Sequence, residues 1–399
     1  HVVCAPGNDG IGRDHQTVAV DPNDPESLLA FAERERIDLT MVGSEAPLGR
    51  GIADLFGARG RPIFGPRRAA AQLETSKAFA KDFMQRHRVP TARYRVCGDA
   101  ARAIAAVRSG EFGTTPVVKA DGLAGGKGVV VSESALEAEA AIHSVMIDRN
   151  FGDAGASVVL EERLEGPEVS FFVIADGEHA VPLVAAQDHK RVFDDDRGPN
   201  SGGMGAFAPS RLIDDPMRDR ILREIVQPVL HGLIVEGSPY RGVLYCGLML
   251  TADGPKVIEF NVRFGDPEAQ VVLPMIAEPL APLLWAAATG ALRSSRVSLS
   301  PERHVGVVLA AEGYPGDVRT GSPIAGLDRV AAECPDVLVF HAGVKGQGNA
   351  LATSSGRVLT VVGKGATFEA AIDRTYDAVS RIHFAGMHYR RDIGRKALA

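Results

Sequence analysis

A carboxylate, an amide and a guanidinium stand at alternate positions within the segment KVIEFNVRFGDPE, residues 256–268. Because successive side chains of a β-strand point to opposite faces, Glu259, Asn261 and Arg263 are predicted to share one face. We place Val257 on that face too, and the intervening apolar residues on the other. Two hard oxygen ligands beside a fixed cation suit a Mg²⁺ ion that also binds phosphate. The segment therefore predicts a metal and phosphate site.

A solvent-facing strand edge is the alternative interpretation of this segment. The apolar opposite face argues against it, and so does the glycine-containing turn at residues 265–267, which marks the end of the strand. Ligands of α/β proteins bind where strands end. We therefore favour a binding site, with Asp266 in its turn.

Glycines surround a lysine in KADGLAGGKGV, residues 119–129, directly after a β-branched strand. Glycine lets backbone N–H groups approach phosphate oxygens, and lysine supplies a cation. The segment is not a P-loop, because Val129 stands where Ser or Thr is required. A plain hairpin would leave Lys119 and Lys127 unexplained. We predict a phosphate-covering loop between two strands.

The segment VVLEERLEGPE, residues 158–168, ends a strand in two carboxylates. In a nucleotide site such a connector can bind the adenine edge through its backbone, and a carboxylate can accept the ribose hydroxyls. An acidic surface turn explains the segment equally well. On its own this segment does not distinguish a nucleotide site from a surface turn.

Charged residues in QDHKR, residues 187–191, are followed by the glycine-rich loop GPNSGGMGA, residues 198–206. The charged run alone is typical of a solvated surface. The adjoining glycines favour a pocket for an anion or an acyl phosphate. No second histidine stands at metal-ligand spacing from His189, so we predict a hydrogen-bonding role for it and no zinc site.

The elements that must position these segments follow from periodicity and turn signals. Short strands alternate with a helix near the N-terminus, which predicts a parallel sheet. A hairpin with an Asp253-Gly254 turn joins two strands, and the second carries Glu259 and Asn261. The predicted strands are 2–4, 39–42, 63–64, 117–119, 129–131, 158–160, 169–174, 181–184, 243–250, 257–260, 305–309, 338–341 and 358–362. The predicted helices are 26–36, 76–88, 135–146, 217–230 and 368–383.

Two or three domains are expected in a chain of 399 residues, since a domain takes roughly 150 residues, and the boundaries favour three. We predict an N-terminal parallel α/β domain over 1–74. The central domain is predicted to span 75–295. A polar stretch at 294–301 separates it from a C-terminal α+β domain over 300–399.

Bulk composition excludes several classes. The formal net charge of -6 argues against a general nucleic-acid binder, and no segment is apolar enough to span a bilayer. The cysteines, at 4, 97, 246 and 334, lack CxxC spacing. Neither a disulfide framework nor a zinc site is predicted, and a reducing cytoplasm is the expected compartment.

Taken together, the motifs are recognisable. Over essentially its whole length the sequence resembles the phosphoribosylamine-glycine ligase (glycinamide ribonucleotide synthetase) family of ATP-grasp enzymes. Besides the segments above, the resemblance rests on APGN at 5–8, EAPL at 45–48, FGP at 64–66, AQLETSKAFAKDF at 71–83, GYPGD at 313–317, SGRVL at 355–359 and RDIG at 391–394. It implies an ATP-grasp fold of α/β class between an N-terminal parallel-sheet domain, whose first strand is expected upstream of His1, and a C-terminal α+β domain.

The resemblance also implies where the nucleotide binds, with a mobile nucleotide-clamping lobe at about 92–165 in the central domain. Residues expected to contact or cover the ATP phosphates are Lys77, Lys119, Gly125, Gly126, Lys127 and Gly128. Residues expected to meet adenine are Glu161, Glu162 and Leu164, and Glu168 is expected to meet the ribose. Glu259 and Asn261 would bind Mg²⁺ or Mn²⁺.

A third set of residues is implied for the reaction itself. The expected catalytic residues are Arg263, Asp266, Asp188 and Lys119. Arg263 would stabilise an acyl phosphate, while Asp266 and Asp188 orient amine groups. The expected substrate-binding residues are Glu45, His189, Lys190, Asn200, Gly203, Arg263, Asp266, Lys345 and Arg357. Among them Lys345 and Arg357 are candidates for the sugar phosphate, and Glu45 lies near the ribose.

The implied reaction joins glycine to 5-phosphoribosylamine through glycyl phosphate at the expense of ATP, in purine synthesis. The partners are these small molecules, with no nucleic acid and no membrane. The oligomeric state is left open, with a monomer as one of the options. One alternative is an ATP-grasp carboxylase or carboxylate transferase that uses bicarbonate or formate. Another is a catalytically silent nucleotide-binding protein.

The chain departs from the family pattern at three places. Residues upstream of His1, including a glycine-rich loop, are expected from the family. Ser44 and Ser355 stand where proline and glycine are usual, without removing a charge. Residues 248–250 are apolar where many ATP-grasp relatives place a metal carboxylate, so metal binding is expected to rest on few protein ligands.

Overall fold

The computed structural model describes residues 1–124, 128–347 and 350–398. The N-terminal region begins with two short pairs of parallel strands, β1 with β2 and β3 with β4. Its elements are β1 Val3–Cys4, β2 Gln16–Thr17, α1 Pro25–Arg34, β3 Thr40–Met41, α2 Glu45–Gly49, α3 Ile52–Ala58, β4 Ile63–Phe64 and α4 Arg68–Thr75. The predicted parallel pairing is present, divided between two pairs.

The first helix shows how the sequence fixes an element. Asp24 accepts a hydrogen bond from Ser27 N, and Pro25 occupies the first turn of α1. An acceptor at the N-cap satisfies a free N–H group, and proline has no N–H to satisfy. Leu29 and Ala32 then face the core.

The central region is the largest. Its helices are α5 Lys77–Arg86, α6 Ala100–Arg108, α7 Ala135–Ile142, α8 Asp215–Ile221, α9 Gln227–Val235, α10 Ala269–Val272 and α11 Leu280–Thr289. Its strands are β5 Tyr94–Cys97, β6 Val117–Ala120, β7 Val129–Val131, β8 Val158–Glu161, β9 Glu168–Asp176, β10 Ala180–Pro182, β11 Gln187–Asp188, β12 Arg191–Phe193, β13 Arg197–Asn200, β14 Gly205–Ala208, β15 Arg241–Thr251 and β16 Gly254–Asn261.

Two antiparallel sheets organise this region. Strands β5, β8, β6 and β7 form one sheet in that order, and α6 and α7 pack on it around a separate small core. Strands β10, β9, β15 and β16 form the other. Alternation along β9 sends Phe171 and Val173 to a core with α5 and Phe172 and Ile174 to a core with α11. The second sheet is therefore buried on both faces.

The prediction that Val257 shares a face with Glu259 is wrong. The pairing of β15 with β16 shifts register, so that Glu259 lies opposite Gly247 while Val257 lies opposite Leu248. Ile258 is the extra residue of a β-bulge, which breaks the alternation at that point. Val257 consequently packs in the same core as Phe260, away from the polar face.

The C-terminal region builds its sheet partly from central strands. Its elements are β17 Arg303–Ala310, β18 Pro323–Ile324, α12 Leu327–Glu333, β19 Leu338–His341, β20 Val344–Gln347, β21 Ala350–Thr353, β22 Arg357–Gly365 and α13 Phe368–Val379. Strands β11, β14, β17, β22 and β19 form one sheet, and β18, β21 and β20 another. Because β14 pairs with β17, the glycine-rich loop before β14 is fixed to the C-terminal sheet. Among the described residues, no helix has the length and apolar character to cross a bilayer.

Candidate active site

Glu259 stands at the centre of a cluster of cations. Burial alone would raise the pKa of its carboxyl, but nearby positive charges hold that pKa below its usual value. In decreasing order of effect, these cations are Lys190, Lys119, Lys77 and Arg263. Arg263 lies just beyond the end of β16, and the other three come from three other parts of the chain. An ionised carboxylate ringed by cations suits a metal ion and a polyphosphate.

Lys119 is held by a buried ion-pair network. Its Nζ atom lies 2.9 Å from Glu161 Oε1 and donates to Ile258 O at 2.9 Å. Lys81 approaches the other oxygen, Glu161 Oε2, at 2.8 Å and donates to Thr91 Oγ1 at 2.7 Å. The three charged side chains are almost fully buried. The carboxylate of Glu161 therefore fixes the two lysines, and only the backbone of Glu161 remains to contact an adenine base.

Lys77 begins helix α5 beside the predicted phosphate loop. Ser76 caps the helix, and Asp121 in the loop accepts from Ser76 Oγ at 3.0 Å and from Ala78 N at 3.1 Å. Lys77 Nζ donates to Gly122 O at 3.1 Å. These contacts tie the start of the loop to the helix. Gly125, Gly126 and Lys127 lie outside the described residues, and Gly128 is buried where β7 begins.

Lys190 joins Glu168 to the same cluster. Its Nζ atom lies 2.7 Å from Glu168 Oε2. Burial would lower the pKa of Lys190, but Glu168, Glu259 and other acidic groups hold it well above the usual value. Lys190 is thus a cation between the predicted ribose ligand and the predicted metal ligand.

Arg263 is positioned by carboxylates of the N-terminal region. Its Nη2 atom lies 2.9 Å from Glu74 Oε1, and its Nε atom lies 3.3 Å from Glu45 Oε2. Glu74 Oε2 also accepts from Val262 N at 2.7 Å. A weak contact of 3.5 Å joins Arg263 Nη2 to Asn261 Oδ1. Glu45 therefore reaches the site through the arginine.

Asp188 and Glu268 form a second acidic pair. Burial and the Glu268 charge raise the pKa of Asp188 well above its ordinary value. Glu268 accepts from Ser170 Oγ at 2.9 Å, and Asp188 Oδ1 accepts from His189 N at 2.6 Å. Since like charges resist joint ionisation, this pair favours binding a proton or an amine.

Asp266 connects the central and C-terminal regions. Arg357 Nη2 lies 3.0 Å from Asp266 Oδ2, and Arg357 Nη1 donates to the carbonyl of Gly202. Gly202 N donates to Tyr314 Oη at 2.7 Å. Gly203 has φ of +100°, and a Cβ there would lie 2.4 Å from Pro267 Cδ. The glycine-rich loop can pack this closely only without side chains at that position.

Other predicted residues lie further from the cluster. The His189 side chain is 1% exposed, with Nδ1 3.2 Å from Gly205 O. The carboxylate of Glu162 is paired with Arg93, whose Nε atom lies 2.6 Å from Glu162 Oε2. Lys345 is exposed on the separate three-stranded sheet. The structure also leaves Asn200 exposed at the end of β13 and Leu164 half-buried in the β8–β9 connection.

Sequence reasoning missed the supporting residues Lys81, Glu74 and Glu268. Lys81 stands four positions after Lys77 in a helix, so one turn separates them on the same face. That spacing was an available signal. Glu74 and Glu268 carry no local signal, because their partners come from distant parts of the chain.

The residues around Glu259 fit a divalent metal. Within the part of the chain that the structure describes, no group of three or more His, Cys, Asp or Glu side chains is arranged to hold a metal. Glu259 and Asn261 therefore offer two protein oxygens. This number suits Mg²⁺, which keeps waters and phosphate oxygens as its other ligands.

Comparison with known proteins gives a consistent result. Three family models match the chain: the phosphoribosylglycinamide synthetase N domain over 1–74, its ATP-grasp (A) domain over 75–269 and its C domain over 304–396. A phosphoribosylamine--glycine ligase of Ralstonia nicotianae is 49% identical over 398 residues, covering 100% of this chain and 93% of the relative. The Vibrio cholerae protein of the same name is 47% identical, with 100% and 92% covered.

Solved structures agree. The crystal structure of phosphoribosylamine--glycine ligase from Thermotoga maritima matches with a TM-score of 0.85 and 32% identity, covering 98% of this chain and 93% of that one. The biotin carboxylase domain of Hydrogenobacter thermophilus 2-oxoglutarate carboxylase matches with a TM-score of 0.73 at 18% identity. The second likeness is one of fold alone.

Proposed function

The chain belongs to the phosphoribosylamine-glycine ligase family, and on that premise we propose that it ligates glycine to 5-phosphoribosylamine at the cluster around Glu259. Of the cations in this cluster, Lys77 and Lys119 bind the ATP phosphates, while Lys190 and Arg263 serve the other substrates and the transferred group. The protein is an ATP-dependent ligase of the ATP-grasp fold. Its product is glycinamide ribonucleotide, formed with ADP and phosphate in purine synthesis. The observation that carries the residue assignment is the convergence of four cations on one ionised carboxylate.

The first step forms glycyl phosphate. A glycine carboxylate oxygen attacks the γ-phosphorus of ATP, the bond from that phosphorus to the β,γ-bridging oxygen breaks, and ADP leaves. Lys77 and Lys119 neutralise the phosphates, and Arg263 faces the transferred group. Such a transfer needs mainly positioning and charge stabilisation. The buried contacts of Lys119 and the carboxylates around Arg263 supply that positioning.

The second step forms the amide. The amine of 5-phosphoribosylamine attacks the carbonyl carbon of glycyl phosphate, the bond from carbon to the phosphate oxygen breaks, and inorganic phosphate leaves. The proton that the amine loses passes to the departing phosphate. Asp188 and Asp266 are proposed to orient the two amine groups. Asp266 is held by Arg357, which also binds the glycine-rich loop. The amine can therefore be oriented by a rigid carboxylate.

ATP-grasp enzymes use ATP with a divalent metal ion, and we assign Mg²⁺ or Mn²⁺ to Glu259 and Asn261. When bound, the metal neutralises charge on the β and γ phosphates. Glu168 is assigned to the ribose, Glu161 to Leu164 to adenine, and residues 125–128 to covering the phosphates. Asn200, Gly203, His189, Lys190, Glu45, Lys345 and Arg357 are assigned to the other substrates.

The proposed setting is the cytoplasm, with the chain acting as a monomer on small-molecule substrates. All the cysteines, at positions 4, 97, 246 and 334, are free thiols. Free thiols suit a reducing compartment.

The test is release of ADP in mixtures that contain or lack each substrate. Turnover should require glycine and 5-phosphoribosylamine together. ADP release with bicarbonate or formate in place of glycine would instead support a carboxylase or carboxylate transferase. Nucleotide binding without any turnover would support a silent binding protein.

A further inference from the structure

The segments QDHKR and GPNSGGMGA are joined by a short hairpin of β12 and β13, residues 191–200. Lys190, in the cation cluster, immediately precedes this hairpin, and the glycine-rich loop follows it. Lys190 O accepts from Ser201 N at 2.7 Å and from Ser201 Oγ at 2.9 Å. The hairpin geometry therefore sets the position of Lys190 and of the loop together.

The tip of this hairpin has an unusual backbone. Asp195 and Asp196 have φ of 58° and 51°, in the left-handed region, although neither is glycine. Two consecutive non-glycine residues in that region persist only where surrounding contacts hold them. Within the hairpin, Arg197 donates to Asp194 O at 3.3 Å, and further contacts come from another part of the chain.

The C-terminal segment, residues 388–398, supplies those contacts. Arg390 is fully buried, and its Nη1 atom lies 2.9 Å from Asp196 Oδ1 and 3.0 Å from Arg191 O. Asp392 Oδ2 accepts from Asp195 N at 3.0 Å and from Arg390 Nη2 at 2.6 Å. One arginine and one aspartate thus bind both left-handed residues and the residue next to Lys190.

Further contacts run along the same line. Arg391 N donates to Asp194 Oδ1 at 2.7 Å, and His388 Nε2 lies 2.8 Å from Val192 O. Lys396 Nζ lies 2.6 Å from Asp196 Oδ2. The segment binds the hairpin at nearly every residue from its first strand to its tip.

We propose that Arg390 is a positioning residue for the ligase reaction, which acts with Asp392 through the hairpin to fix Lys190 and the glycine-rich loop. The proposal rests on the proposed function of those two groups. Arg390 touches no substrate in this arrangement. Its loss acts on glycine use and on the rate of the chemical steps, and leaves ATP binding by Lys77 and Lys119 intact.

The experiment compares Asp196→Asn, Arg390→Lys and Arg390→Met with the wild-type full chain. Asp196→Asn weakens the contact from the hairpin side and leaves the buried pair of Arg390 with Asp392 in place. We expect kcat/KM for glycine to fall about tenfold or more, because small misplacements at a reacting centre are costly. The KM for ATP should stay within about twofold of the wild-type value. Arg390→Lys should lose less of the kcat/KM for glycine than Arg390→Met does, because lysine keeps the positive charge.

Hydrogen exchange provides a second measurement that does not depend on turnover. Amides of residues 194–205 should exchange faster in Asp196→Asn, while those of the lobe at 92–165 should not. The matched control is Arg381→Met, which also removes an arginine with two carboxylate partners, Glu333 and Asp377. It should leave both the glycine kinetics and this exchange unchanged.

A folded Asp196→Asn and a folded Arg390→Lys with glycine kinetics within twofold of wild type would overturn the proposal. An equal loss for glycine and ATP would do the same, since it would indicate general destabilisation. If Arg390→Met does not fold, the other two variants decide. If the wild type shows no glycine-dependent ADP release, the proposed function fails, and the exchange experiment still tests the contact.

Discussion

The guanidinium of Arg263 lies 2.9 Å from the buried carboxylate of Glu74. The arginine follows the predicted metal ligands on β16, and the glutamate belongs to α4 of the N-terminal region. Glu45 approaches the same guanidinium at 3.3 Å. The N-terminal region therefore fixes a cation that another region carries, and it is to this cation that we assign the transferred group.

The first prediction concerns Arg263→Ala. Turnover should fall by about a hundredfold or more, because a preorganised charge at the transferred group is lost. The fold should survive, since Glu74 can take up a proton when its partner is removed. ADP release and thermal unfolding measure the two effects. Arg95→Ala, which removes an exposed arginine paired with Glu111, is the control. Near-normal turnover in folded Arg263→Ala would refute the role.

The second prediction concerns the pH dependence of stability. Burial raises the pKa of Glu74 to about 7, with Arg263 opposing the shift. Between its unfolded value near 4.5 and about 7, the folded protein binds the extra proton, so its stability falls as pH rises through that window. Glu74→Gln has no carboxyl group at this position and cannot bind the extra proton. Relative to Glu74→Gln, the free energy of unfolding of the wild type should fall by at most about 1.4 kcal/mol for each pH unit in this window.

Urea unfolding at pH 5 and pH 8 checks this difference. The control, Glu35→Gln, removes an exposed glutamate paired with Arg34. An unchanged stability difference between wild type and Glu74→Gln across the window would contradict the assignment of the proton to Glu74.

Local elements of this fold follow closely from the sequence. The helix predicted over 76–88 runs from Lys77 to Arg86, with Ser76 as its cap. Thr367 likewise caps α13, which begins at Phe368 as predicted. Caps and hydrophobic periodicity are local properties, so they can be read without knowledge of the fold. The family resemblance adds the ATP-grasp architecture, which the comparisons confirm.

Other features depend on contacts between distant parts of the chain. The bulge at Ile258 reverses the face of Val257 because β15 and β16 pair with one extra residue, which no alternation pattern reports. The pairing of Lys81 with Glu161 also depends on how a helix meets a strand. The position of Glu259 among cations was predicted in outline, but the residues that hold those cations were not.

The third prediction concerns Lys81→Met. The substitution leaves the buried Glu161 with one lysine instead of two, and breaking a buried pair from one side typically costs about 3 kcal/mol or more. The Glu161 carboxylate that pairs with Lys119 is then less firmly held, so the KM for ATP should rise. Chemical unfolding and ATP kinetics measure these effects. Arg34→Met breaks an exposed pair and should change the free energy of unfolding by about 0.5 kcal/mol at most. Equal stabilities of the two variants would contradict the role of Lys81.

The fourth prediction concerns the metal. Glu259 is ionised in spite of its burial because four cations surround it, so it is ready to bind Mg²⁺ or Mn²⁺ without first losing a proton. Glu259→Gln removes that charge and leaves the four cations without their shared anion. The Mg²⁺ concentration for half-maximal turnover should rise about tenfold or more, since changes around metal ligands have effects of that order.

The same titration distinguishes the two proposed ligands. Both variants keep a side-chain oxygen, but Glu259→Gln removes a negative charge and Asn261→Asp adds one, so the half-maximal Mg²⁺ concentration of Asn261→Asp should not rise as that of Glu259→Gln does. Lys256→Met, on the same strand and paired with Asp253 in the turn, is the control and should match wild type. A chelator should abolish turnover of the wild type, and added Mg²⁺ should restore it. If Glu259→Gln instead gives the wild-type Mg²⁺ curve, Glu259 does not bind the metal, and the cations around it must serve the phosphates alone.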